Sequence, residues 1–176
     1  MELSIKAKNL ITQINEKNTK LGDLRKIAGE IKKDHQVAIE LWSTEIYLAR
    51  QLAILIMDKK LLSQDIVDNL VKDMEQHKED EKIQLIDWFL ANQLSKDKKT
   101  ISLMETWENS KSSLQRRLYW YYQARLRWVG QTPPPNTEAL LSRIEDQIDN
   151  EVPEVQWAMN FTAAQIGIFQ ENYRLR

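Results

Sequence analysis

Asp87 stands in the segment EKIQLIDWFLANQL, an acid on its apolar helical face. At 100° per residue it shares a helical stripe with Ile83, Leu90, Ala91 and Leu94. An ionised carboxylate on such a face needs a partner or water, or its pKa rises. Two chemistries fit. One is a core aspartate paired with an arginine; the other is a carboxylate held in a cleft and aimed at a ligand.

A second group lies in RRLYWYYQARLRW, where residues 116–128 hold four arginines and five aromatic rings. On a helix, Leu118, Tyr122 and Leu126 share one face, which we expect in the core. Arg116, Trp120, Gln123 and Arg127 form a second stripe, and Arg117, Tyr121, Ala124 and Trp128 lie beside it. Guanidinium groups bind phosphates through paired hydrogen bonds, and flat rings stack on bases. The flank therefore suits a polyanion that carries aromatic bases. Tryptophan and arginine also stack on each other inside helical proteins, so a purely structural role stands beside it. The third group is the helix PEVQWAMNFTAAQIGIF. Asn160, Ala163, Ala164 and Gly167 give it a low-profile side, open either to close helix packing or to a ligand backbone. Trp157 near its start serves as packing or as a ligand-facing wall.

These residues need helices to hold them. Only four glycines and four prolines interrupt 176 residues, and the periodicity is helical throughout. Leu24, Ile27, Ala28 and Ile31 repeat at helical spacing, as do Ile66, Leu70, Val71 and Met74; Asn136 is placed to cap a helix carrying Leu140, Ile144 and Ile148. The pattern predicts an all-α chain whose helices come in pairs, at about 23–58, 63–94, 100–130 and 136–169. A pair every ~40 residues is the size of a HEAT-type unit, and such units stack into an α-solenoid of antiparallel helix pairs. An ordinary helical bundle is the competing arrangement. GQTPPPN is the clearest loop, but too few residues follow it for an independent core. The expectation is a single domain over 1–176.

Composition excludes several classes. There is no cysteine, so disulfides, thiolate nucleophiles and cysteine-bound zinc are absent. His35 and His77 show no metal-ligand spacing. There is no phosphate-cradling glycine loop and no Gly-x-Ser-x-Gly elbow, so neither a metal nor a nucleotide cofactor is expected. Net charge is −1, yet between Glu108 and Glu138 five cations stand without an acid. A local basic patch on a slightly acidic body is the informative feature. The N-terminal MELSIKAKNL lacks a signal-peptide pattern, and LAILIMD is too short to span a bilayer. A soluble, cytoplasmic monomer is expected.

GDLRKIAGEIKKDH, IELWSTEIYLARQLAILIMD, LIDWFLANQL, RRLYWYYQARLRW and EVPEVQWAMNFTAAQIGIF, in this order and spacing, resemble the DNA alkylation repair family, the AlkD-like glycosylases with HEAT-like repeats. The resemblance runs from about Gly22 onward. It implies a DNA repair glycosylase that excises cationic alkylated purines from duplex DNA without any cofactor. Asp87 matches the family's catalytic aspartate, Arg117 its arginine (with Arg116 adjacent), and Trp157 its tryptophan. Arg116, Trp120, Arg125, Arg127, Trp128 and Asn160 are the expected DNA-binding residues. Two positions depart from the family. Ile83 and Gln84 stand where an aromatic residue often precedes the aspartate, and Leu48 stands where a glutamate often precedes the arginine matched by Arg50. Relatives commonly continue beyond the position of Arg176. The alternatives are a non-catalytic module for bent or branched DNA and a scaffold for protein partners.

Overall fold

The computed structural model describes residues 2–15, 19–130 and 132–175. They hold α1 (Ile5–Asn15), α2 (Leu21–Ile31), α3 (His35–Trp42), α4 (Tyr47–Ile56), α5 (Gln64–Met74), α6 (Glu79–Asn92), α7 (Lys98–Glu105), α8 (Ser113–Trp128), α9 (Thr137–Gln147) and α10 (Pro153–Phe169), and no strand. The all-α expectation holds. The chain forms two compact units, Met1–Thr100 and Ile101–Arg176. No helix among the described residues is long and apolar enough to cross a membrane.

Local chemistry sets the helix ends. The Asp34 side chain accepts from the Val37 amide and starts α3; Ser63 does the same for Ile66 at α5. Three acids in the first turn of α6, Glu79, Asp80 and Glu81, complement the helix dipole. Pro153 opens α10, where its missing N–H costs nothing. After α8 the chain takes a positive φ of 71° at Gly130, the usual glycine stop.

Two of the four expected pairs appear, α5 packed with α6 and α9 with α10, while over 100–130 the helices α7 and α8 follow one another in sequence and α8 packs chiefly on α10. The first expected pair does not appear. The stretch 23–58 holds most of α2 together with α3 and α4, because Asp34 caps an additional helix where two had been expected. The segment before it, placed in no pair, forms α1. Asn136 sits at the N-cap position of α9, but its amide does not cap. Its Nδ2 donates to Gln123 Oε1 at 3.1 Å instead.

In the first unit Leu24, Leu41, Leu52, Ile54, Leu85, Ile86 and Phe89 are fully buried. In the second, α8 and α10 pack along their length and run in the same direction. Arg117 meets Glu154, the Trp120 carbonyl lies 2.7 Å from the Thr162 hydroxyl, and Arg127 bonds Gln170. This register fixes which face of each long helix is covered.

Candidate nucleic-acid interface

In the first unit, α6 buries Leu85, Ile86, Trp88, Phe89 and Leu90. Asp87 is half-buried beside that face, with Ile83 and Ala91 equally half-covered. It lies at the rim of the core rather than within it. The adjacent Trp88 donates its indole N–H to the Gln51 carbonyl at 3.1 Å, and the Arg25 guanidinium lies 4.7 Å from its ring centre.

In the second unit, α8 and α10 together present four contiguous rings. Trp157 and Phe161, one turn apart on α10, stack with centroids 5.1 Å apart and planes 9° from parallel. Tyr121 on α8 meets each of them edge-on at 5.6 Å. Trp128 closes the group at 6.2 Å from both Tyr121 and Phe161. Trp157 and Trp128 are 46% and 42% exposed, which for rings of this size leaves a broad apolar surface in water.

Beneath the rings lies Arg117. It is 3% exposed, and its guanidinium carbon is 4.4 Å from the Trp157 ring centre and 5.8 Å from that of Tyr121. Its Nη1 donates to the Glu154 carbonyl at 2.9 Å. A cation over an indole face holds the ring by its quadrupole. Arg117 therefore fixes the orientation of Trp157 from below, and as placed it is too deeply covered to clamp a phosphate. Arg125 is half-exposed and lies 5.3 Å over Trp128, the same arrangement nearer the surface.

Several residues expected at DNA are committed elsewhere. Arg116 makes a two-pronged pair with Glu151, at 2.9 Å from both Nε and Nη2, and donates to the Ser110 carbonyl at 2.7 Å. Arg127 is buried, and burial holds its guanidinium below the usual arginine range. It donates to Gln170, to the Gln123 carbonyl and to Thr137. Trp120 is 1% exposed and belongs to the core. The stripe of Arg116, Trp120, Gln123 and Arg127 thus serves packing, because the register of α8 on α10 covers it. The neighbouring stripe of Arg117, Tyr121 and Trp128 carries the rings.

Asn160 is exposed, and the low-profile side of α10 is open. A Cβ placed on Gly167 would meet nothing within 4 Å, so no helix packs tightly there. Phe161 and Tyr121 were not among the expected site residues. The signal for both was their spacing, each four residues beyond an expected one, Trp157 and Arg117. Among the described residues no group of three or more His, Asp or Glu is placed to hold a metal ion.

A family model described as DNA alkylation repair enzyme matches residues 13–174. A solved structure described as representing "a new family of proteins related to the HEAT-like repeat DNA glycosylases with affinity for branched DNA structures" superposes with a TM-score of 0.72. It covers 98% of this chain and 74% of the other, at 19% identity, which speaks for the fold. No curated protein matches the sequence significantly.

Proposed function

This chain belongs to the DNA alkylation repair enzyme family, and from that premise we propose that it binds alkylated duplex DNA through the ring surface of its second unit and releases cationic alkylated purines. The observation that carries the binding is the pair of exposed rings Trp157 and Trp128, backed by the half-buried Phe161 and Tyr121 and oriented by a buried cation. Rings in this arrangement pack on bases and sugars regardless of sequence. Arg125 beside Trp128 supplies positive charge at the surface.

For excision the leaving group is already activated. An alkylpurine carrying a positive charge departs as a neutral base, and positive charge then develops on the deoxyribose. A fixed carboxylate stabilises that charge and orients the attacking water. We assign this role to Asp87, the half-buried acid of α6. Arg117 acts through Trp157 as a positioning residue.

The test is release of free base from duplex DNA containing 7-methylguanine. Asp87→Asn keeps the shape and removes the charge, so release slows by ~100-fold or more, the scale of losing one aimed electrostatic group. Affinity for undamaged duplex stays at the wild-type level. An Asn variant that is stable and releases base at the wild-type rate removes Asp87 from the mechanism.

A second reading is favoured by Ile83, an aliphatic residue where the resemblance places an aromatic one. Without that ring the chain is a binding module for branched DNA, the affinity ascribed to its structural neighbour. It predicts no base release by the wild-type protein and tighter binding to a four-way junction than to a duplex.

A further inference from the structure

The first unit carries lysine-rich loops that the ring surface does not use. Lys32 and Lys33 follow α2, Lys59 and Lys60 follow α4, and Lys96 follows α6, with Lys98 and Lys99 opening α7. The fold ties these three loops together. The Asp34 amide donates to the Ile56 carbonyl at 2.9 Å, and the Asp58 amide meets His35 Nδ1 at 3.3 Å. The buried Gln93 donates to the carbonyls of Ile54 and Met57, at 2.5 and 3.2 Å. Lys59 Nζ donates to the Lys96 carbonyl at 2.6 Å.

The result is a recess of about 310 Å³ lined by Lys33, Lys59, Lys60 and Lys96 together with Leu55, Met57, Asn92 and Gln93, with Asp58 as its sole acid. Asp58 is occupied by Lys33 at 3.0 Å and by the Lys60 amide at 3.1 Å. The neighbouring acids are also engaged. Asp34 pairs with Lys6 at 2.7 Å, and Asp97 accepts from the Lys99 amide at 3.0 Å. The side chains of Lys60 and Lys96 form no ion pair or hydrogen bond among the described residues.

We infer that this recess is a second DNA contact, in which Lys60 and Lys96 engage backbone phosphates while Lys33 and Lys59 hold the loops in register. The inference rests on the DNA-binding reading above and adds a site to it. Four ammonium groups against one carboxylate form a strongly positive locus on a chain whose net charge is −1. Lysine is a point-charge donor suited to phosphate without base readout. Loops fixed by backbone bonds lose little freedom when the polyanion docks.

The experiment measures fluorescence anisotropy of a labelled undamaged duplex across a salt series. It compares the intact protein, Lys60→Gln/Lys96→Gln, and Lys8→Gln/Lys72→Gln, which makes the same charge change outside the recess. Each phosphate contact contributes about 0.9 to the slope of log affinity against log salt. The recess pair lowers that slope by about 1–2 and weakens binding several-fold at low salt, with melting unchanged; the control pair leaves the slope intact. Equal effects from both pairs would trace the change to net charge and overturn the inference, while DNA binding itself would stand. Loss of binding to phosphatidylserine vesicles by the recess pair, with DNA affinity intact, would also overturn it in favour of a lipid surface. Failure of the wild-type protein to bind duplex at any salt would sink the DNA reading and this inference together.

Discussion

The two units each contain a buried arginine against a tryptophan face, and the two pairs end differently. In the first, Arg50 on α4 lies 4.9 Å from the Trp42 ring centre and donates to the carbonyls of Trp42 and Asp73, at 3.2 and 2.8 Å. The Trp42 indole N–H donates to Asp73 at 2.8 Å, and the ring is 5% exposed. Burial pulls the Arg50 pKa down, and the charges of Asp73 and Glu45 oppose that pull. In the second unit, Arg117 on α8 has the same carbonyl anchor and a shorter ring distance, but Trp157 is nearly half exposed and three further rings adjoin it. An arginine–tryptophan pair is thus a packing device in both units. A closed ring with its N–H satisfied leaves nothing to offer a partner; an open ring in a cluster offers a surface.

Breaking the closed pair has the largest effect. Trp42→Ala removes a buried ring and leaves Asp73 without its indole donor. It lowers stability by about 3–5 kcal/mol, the range for truncating a core aromatic. Chemical denaturation measures it, and DNA affinity of the folded protein stays within twofold of wild type. A loss below about 1 kcal/mol would mean that Trp42 is not a core group.

Arg117→Gln comes next. It leaves the Glu154 carbonyl short of a strong donor and releases Trp157 from below, at a cost of about 1–3 kcal/mol. Duplex affinity falls with it. Arg117→Lys does not restore affinity, since an ammonium lacks the planar face that stacks on the indole. Full rescue by lysine would show that charge alone matters there.

Arg116→Ala has the smallest effect. It breaks a half-buried pair with Glu151 and costs about 1 kcal/mol. The salt slope of duplex binding is unchanged, because this charge is already spent inside the protein. A slope reduced by about 1 would instead place Arg116 on a phosphate.

The difference between the units also marks what the sequence could and could not convey. The helices were legible because their apolar spacing is a local property, and the stripe of Leu118, Tyr122 and Leu126 is buried as the wheel predicts. Which flank of α8 stays open was not local. It depends on α10 and the residues that flank it, through partners such as Glu151 for Arg116 and Gln170 for Arg127, 35 and 43 residues away. Trp120 and Trp128 stand on adjacent stripes of the wheel, and only that register shows which stripe is covered and which is open. Asp87 was legible as an anomaly, but its half-buried rim position depends on neighbours beyond its own helix. Phe161 carries no charge or hydrogen-bonding group to mark it in the sequence, and its stacking on Trp157 follows from ordinary helical spacing.

The central claim is that the open rings of the second unit are the DNA contact, and Trp157→Ala tests it most directly. More than half of the side chain is covered, by Arg117, Phe161 and Tyr121, so binding is measured well below the melting temperature of the variant. Duplex affinity, measured by anisotropy at fixed salt, should fall by roughly 5- to 100-fold, corresponding to about 1–3 kcal/mol for one stacked base. A folded variant that binds duplex equally well would contradict the account.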